Sequence, residues 1–130
     1  MKKMLVLLLV VATLTGCGKE EEKASYQQID MDTAIQIMTQ EEGYVILDVR
    51  THAEYEEKHI PGAICIPNET IGTEQPKELP DLNQRILVYC RSGNRSKQAS
   101  QKLADMGYTN ILEFGGIIDW PGEVNTGYTP

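Results

Sequence analysis

The chain has 130 residues, three cysteines and a formal charge of −7, from 12 Lys+Arg against 19 Asp+Glu. With 41% hydrophobic and 24% charged residues, it carries enough apolar sequence for one globular domain and too much for a disordered chain. The acidic balance excludes a general nucleic-acid binder, three cysteines are too few for a disulfide scaffold, and no apolar run is long enough to span a bilayer.

The chain opens with Lys2 and Lys3, followed by unbroken apolar sequence over 4–12 and then Leu14-Thr15-Gly16-Cys17. A basic start, a short apolar stretch and small residues at a cut site describe an export signal. An ordinary signal peptide and a free apolar N-terminus are the competing readings. The ending Leu-Thr-Gly-Cys resembles the lipobox of bacterial lipoproteins. That resemblance implies a signal over 1–16, cleavage before Cys17, a diacylglycerol on its thiol and an exported, membrane-anchored protein. Removing Lys2 and Lys3 leaves 10 bases against 19 acids, or −9. Residues 17–25 read as the lipidated Cys17 and a polar tether holding Lys19, Glu20, Glu21, Glu22 and Lys23, and the eight residues 18–25 reach at most about 29 Å when extended.

The domain is expected over 26–130. Residues 26–29 read as an edge strand, and 32–40 as a helix with Ala34, Met38 and Ile35 inward and Asp30 or Asp32 as its cap. Tyr44-Val45-Ile46-Leu47-Asp48-Val49 is a nearly continuous apolar run. A short charged helix follows over 52–58, flanked by His52 and His59, which read as surface or capping residues. Residues 63–66, 85–89 and 111–114 are further apolar runs, 68–81 is a loop rich in Pro, Gly, Glu and Thr, and 96–106 is a helix stopped by Gly107. Continuous apolar strands alternating with helices predict an α/β domain built on one parallel sheet. The tail 124–130 reads as loose.

The chemistry concentrates after the strand 86–89. Cys90 is followed by Arg91-Ser92-Gly93-Asn94-Arg95-Ser96, and then a helix begins. In open parallel sheets ligands bind beyond the carboxyl ends of the strands. A tight loop feeding a helix start offers unpaired N–H groups to an anion, and those fields favour a thiolate on Cys90. Residues 82–104 contain no Asp or Glu but hold Arg85, Arg91, Arg95, Lys97 and Lys102, a local +5 in an acidic domain. Taken alone, a cysteine at a strand end is as readily a small buried hydrophobe. Loop, placement and charge together make Cys90 a nucleophile, with Lys97 and Lys102 on a solvated helix face. Cys65, between Ile64 and Ile66, reads as a core thiol, with a Cys65–Cys90 disulfide as the competing idea in an oxidising compartment. No His/Cys/Asp cluster has metal-ligand spacing, and nothing calls for a cofactor.

Three ordered segments carry a resemblance. Val45-Ile46-Leu47-Asp48-Val49-Arg50 with Glu54-Tyr55 and His59-Ile60-Pro61-Gly62-Ala63 resembles the first signature of rhodanese-like domains. Val88-Tyr89-Cys90-Arg91-Ser92-Gly93-Asn94-Arg95-Ser96 resembles their active-site loop, and 103–108 with Phe114-Gly115-Gly116 to Trp120 resembles their closing segments. The resemblance covers about 26–120. It implies a five-stranded parallel sheet with helices on both faces, and a Cys90 that carries sulfane sulfur as a persulfide from a small anionic donor such as thiosulfate to cyanide or a thiol. It implies that the backbone from Arg91 through Ser92, Gly93 and Asn94 to Ser96 holds the sulfur anion. Arg91 and Arg95 would orient the donor, and Asp48, Arg50, Glu54 and His59 would support the structure. Four residues separate Cys90 from Arg95, whereas the cysteine-dependent phosphatases of the same architecture have five, so sulfur transfer is favoured over oxyanion chemistry. A phosphatase-like or arsenate-reducing enzyme and a non-catalytic or redox-relay module remain the other classes.

Overall fold

The structure, a computed structural model, describes residues 24–130. The expected signal, Cys17 and most of the tether lie outside the described residues. Five strands, β1 (Gln27–Gln28), β2 (Tyr44–Asp48), β3 (Ile64–Cys65), β4 (Arg85–Cys90) and β5 (Ile111–Gly116), form one parallel sheet in the order β1-β5-β4-β2-β3. Helices α1 (Met31–Gln40), α2 (His52–Glu57) and α3 (Asn94–Met106) connect them.

The local chemistry explains where each helix begins. Asp30 caps α1 by accepting from the Thr33 N–H at 2.7 Å. Thr51 and Glu54 form a capping box at the start of α2. Gly107 ends α3, its N–H reaching the carbonyls of Leu103 and Ala104. The inner face of α1 is Met31, Ala34, Ile37 and Met38. Ile37 takes the inward place expected for Ile35, as its spacing of three from Ala34 allows.

The strands separate two apolar clusters. Ile86, Val88 and Cys90 of β4 face α3 with Leu103 and Tyr108, while Leu87 and Tyr89 face α1 and α2 with Ile46, Tyr55 and Phe114. Continuous apolar sequence thus still alternates in direction, because both faces of the sheet are covered. Cys65 departs from the expected core thiol. It lies on two-residue edge strand β3 and is only half-buried.

Two further expectations are corrected. His59 is fully buried rather than at the surface. Its ring stacks on Tyr55 at 3.8 Å, and Nδ1 and Nε2 lie 2.8 Å from the carbonyls of Tyr55 and Thr129. The C-terminal tail is docked rather than loose. His59 and Asn125 exchange backbone hydrogen bonds at 2.9 Å each, the Gly127 N–H reaches the Glu56 carbonyl, and the Tyr128 hydroxyl donates to Glu56 Oε2 at 2.6 Å. The tail is what covers His59.

Candidate active site

The site lies at the carboxyl end of β4, the central strand. A bulge between Val88 and Cys90 sets Cys90 opposite Gly116 of β5. The loop then turns on Gly93, whose φ of 114° is the left-handed region that glycine adopts without strain, and α3 begins at Asn94. Gly116 is required for a different reason. A Cβ there would lie 1.9 Å from the Arg91 carbonyl oxygen and 2.5 Å from the Ser92 nitrogen, so any side chain would displace the loop backbone.

Cys90 is fully buried, not exposed. Its sulfur accepts from the Gly93 N–H at 3.0 Å and donates to Ser96 Oγ at 3.4 Å. Among the described residues, the backbone N–H groups of Arg91, Ser92, Asn94, Arg95 and Ser96 make no hydrogen bond. Ser92 and Asn94 are exposed and Ser96 is fully buried. The loop therefore combines a covered sulfur with a set of unsatisfied donors at a helix start, the arrangement that stabilises a bound anion.

The two loop arginines have separate fates. Arg95 grips Glu54 with both guanidinium arms, Nη1–Oε1 at 2.6 Å and Nη2–Oε2 at 3.0 Å. It ties α3 to α2 instead of standing free for a ligand. Arg91 is exposed and unpaired among the described residues. It lines a cleft of about 410 Å³ with Arg50, Lys58, Glu54, Ile117 and Ile118. The local +5 is likewise trimmed, because Arg85 pairs with Glu41 at 2.7 Å and Lys102 donates to the Asn68 carbonyl at 2.9 Å.

Hydrogen bonds from Arg95 pull the Glu54 carboxyl from 4.5 down to about 2. A carboxyl depressed by folding stabilises the native state above its ordinary value and stops doing so as pH falls through its native value. Glu54 is partly exposed, with 30% of its side chain accessible, so the contribution is about 1 kcal/mol. Glu54→Gln keeps a glutamine-compatible capping box. It is expected to lose that stability at neutral pH, with the difference from the natural chain vanishing between pH 4.5 and about 2 in urea unfolding. A difference that stays constant over that window contradicts the assignment.

Beneath the loop is a buried network. Asp48 Oδ2 accepts from Arg50 Nη2 and from the Tyr89 hydroxyl at 2.7 Å each, and Oδ1 accepts from the Arg50 N–H at 2.9 Å. Arg50 Nη2 also donates to the Lys58 carbonyl at 2.6 Å. Burial opposes the Arg50 charge, yet the Asp48 carboxylate holds the guanidinium above its ordinary value. Burial is also what raises the Tyr89 hydroxyl, followed by the Asp48 charge. Asp48 and Arg50 thus reach the loop through Tyr89, the residue before Cys90. Cys65 is a different thiol from Cys90. Burial, then the Asp48 charge, pushes it up to about 12, its Sγ donates to the Arg50 carbonyl at 3.5 Å, and neither cysteine is in a disulfide.

One site residue was missed at the level of sequence. Glu113 of β5 is buried, and its Oε1 accepts from Ser96 Oγ at 2.6 Å and from the Gly115 N–H at 2.8 Å. The signal was an acidic residue interrupting the run Ile111-Leu112-Glu113-Phe114.

A family profile described as Rhodanese-like domain matches residues 30–122. The thiosulfate sulfurtransferase PspE of Escherichia coli is 38% identical over 73 residues, 56% of this chain and 70% of that protein. A sulfurtransferase of Allochromatium vinosum is 36% identical over 94 residues, 72% of this chain and 86% of that one. A solved structure described as rhodanese with anions from E. coli superposes with a TM-score of 0.59 at 35% identity, covering 65% of this chain and 99% of that one.

Proposed function

Because the chain belongs to the rhodanese-like domain family, we propose that it is a sulfurtransferase that moves sulfane sulfur through a persulfide on Cys90. The observation that carries this is the Cys90 sulfur under the Gly93 N–H, at the base of a loop with five unsatisfied backbone donors. In the first half-reaction the Cys90 thiolate attacks the outer sulfur of thiosulfate. The S–S bond of thiosulfate breaks, sulfite leaves with the bonding pair, and Cys90 becomes a persulfide anion. In the second, cyanide or a thiolate attacks the outer sulfur, and the Cys90 thiolate is regenerated. No net oxidation and no metal step is needed, since the donor brings its own sulfane sulfur.

The loop suits both steps. Charge arriving on the outer sulfur meets fixed N–H dipoles that need no reorganisation. Arg91, on the loop and lining the cleft, is the loop cation available to the leaving sulfite. Arg95 supports the loop through Glu54, and its engagement there argues against a phosphatase-type role as a two-armed oxyanion clamp.

The test is thiocyanate formation from thiosulfate and cyanide by the purified full-length chain. The expected result is turnover that saturates in thiosulfate. A folded chain with no turnover, and no turnover with other sulfane donors, overturns the reading.

We place this chemistry outside the cytoplasm, on a membrane surface, with a lipid on Cys17 after cleavage of 1–16. The support is the sequence 2–17 alone. Cys17→Ser should move the protein from the membrane to the soluble fraction, and continued membrane association contradicts the anchor.

A further inference from the structure

The buried carboxylate of Glu113 has no cationic partner among the described residues. It is 3% exposed, in β5 between Ile111 and the Gly115-Gly116 pair, and none of the ion pairs among the described residues includes it. It points to the α3 side, where Ile86, Val88 and Ile111 make the surroundings apolar. Burying a carboxylate there is costly unless its hydrogen bonds are strong or it shares a proton.

Its contacts lead to the nucleophile. The Ser96 hydroxyl has one proton and three acceptors in reach: Glu113 Oε1 at 2.6 Å, the Gly93 carbonyl at 2.9 Å and the Gly115 carbonyl at 3.4 Å. The shortest is Glu113. The same oxygen of Ser96 accepts from the Cys90 thiol at 3.4 Å. Cys90, Ser96 and Glu113 therefore form a chain of two hydrogen bonds, all three residues at most 3% exposed. Bulk water does not compete along it.

We propose that Glu113 is a positioning residue that takes the Cys90 proton by way of Ser96. The thiol S–H bond breaks as its proton moves to Ser96 Oγ, and the Ser96 proton moves to Glu113 Oε1. The products are a Cys90 thiolate, an unchanged Ser96 hydroxyl that now donates to the sulfur, and a neutral Glu113 carboxylic acid. One negative charge moves from oxygen to sulfur, and the total stays the same. The thiolate then holds hydrogen bonds from both Ser96 and the Gly93 N–H before any donor arrives.

The inference rests on Cys90 as the sulfur-carrying nucleophile. The charged groups facing the pair are few. Arg91 and Arg95 lie on the loop side, with Arg95 occupied by Glu54 and also sensing Glu69. Across the sheet Glu113 meets Val88 of β4 and Gln28 of β1, neither of which titrates.

Two groups sharing one proton titrate in two macroscopic steps. The measurement is the ultraviolet absorbance of the Cys90 thiolate against pH in the full-length chain, taken as the difference from the matching chain carrying Cys90→Ser. The natural chain should show thiolate appearing in two steps. Glu113→Gln keeps an acceptor for Ser96 and Gly115 but cannot take the proton. It should show one step, with the thiolate signal at about pH 6 reduced roughly tenfold. Ser96→Ala should do the same, and Glu113→Asp should restore two steps. A purely structural Glu113 leaves the number of steps unchanged in Glu113→Gln, and that result overturns the relay. Loss of the early step in Ser96→Ala but not in Glu113→Gln also overturns it. The readout uses no sulfur donor, so failure of sulfur loading and failure of the relay are separate results.

Discussion

Cys90→Ser is expected to leave the chain folded and to lower thiocyanate formation by roughly 10³-fold or more. A serine oxygen still accepts from the Gly93 N–H and fits where the sulfur sits, so the loop keeps its shape. It cannot be the leaving group of a persulfide, so the reaction loses its intermediate. Cys65 offers no way around. Burial and the Asp48 charge hold its thiol near 12, so it stays protonated where the enzyme works, and its Sγ is bonded to the Arg50 carbonyl. Residual activity near the natural level in Cys90→Ser would mean that the nucleophile has been misassigned.

The largest stability effect is expected from Asp48→Ala. It removes the acceptor for the Arg50 backbone and guanidinium and for the Tyr89 hydroxyl, all at sites nearly closed to solvent. Breaking one side of a buried pair costs about 3–5 kcal/mol because the other charge is stranded. That is a large part of a typical domain's stability. Cys90 itself touches neither Asp48 nor Arg50, so the folded fraction of the variant should keep its thiol reactivity. Urea unfolding combined with alkylation of the folded protein checks both halves. A stable variant with an unreactive Cys90 would show that the network tunes the nucleophile rather than bracing the fold.

Much of this arrangement is legible in the chain, and the limits follow from distance along it. The strand that ends at Cys90, the loop of Arg, Ser, Gly and Asn and the helix after it are consecutive, so local chemistry carries them. The capping residues Asp30 and Thr51 and the stop at Gly107 are local too, although sequence reading singled out only the first and last. The pairings that decide the charge of the site are not local. Glu54 meets Arg95 and Glu41 meets Arg85 across more than forty residues, and a count of cations over 82–104 cannot see them. His59 reads as a surface residue because its cover, the segment around Asn125 and Thr129, comes from the far end of the chain. Cys90 is more enclosed than an exposed nucleophile because Gly116, from another strand, lets the loop lie directly against the sheet. Glu113 was visible as an acid in an apolar strand. Its contact with Ser96 depends on β5 pairing with β4, which no local stretch of sequence encodes.

Sulfur carried on Cys90 is visible in the intact mass of the reduced full-length chain after thiosulfate, with the modified residue mapped by fragmentation and the sample then treated with cyanide. The expected result is a gain of one sulfur atom, on Cys90, that cyanide removes. A folded chain that gains no sulfur, or gains it on Cys65 with Cys90 unmodified, contradicts it.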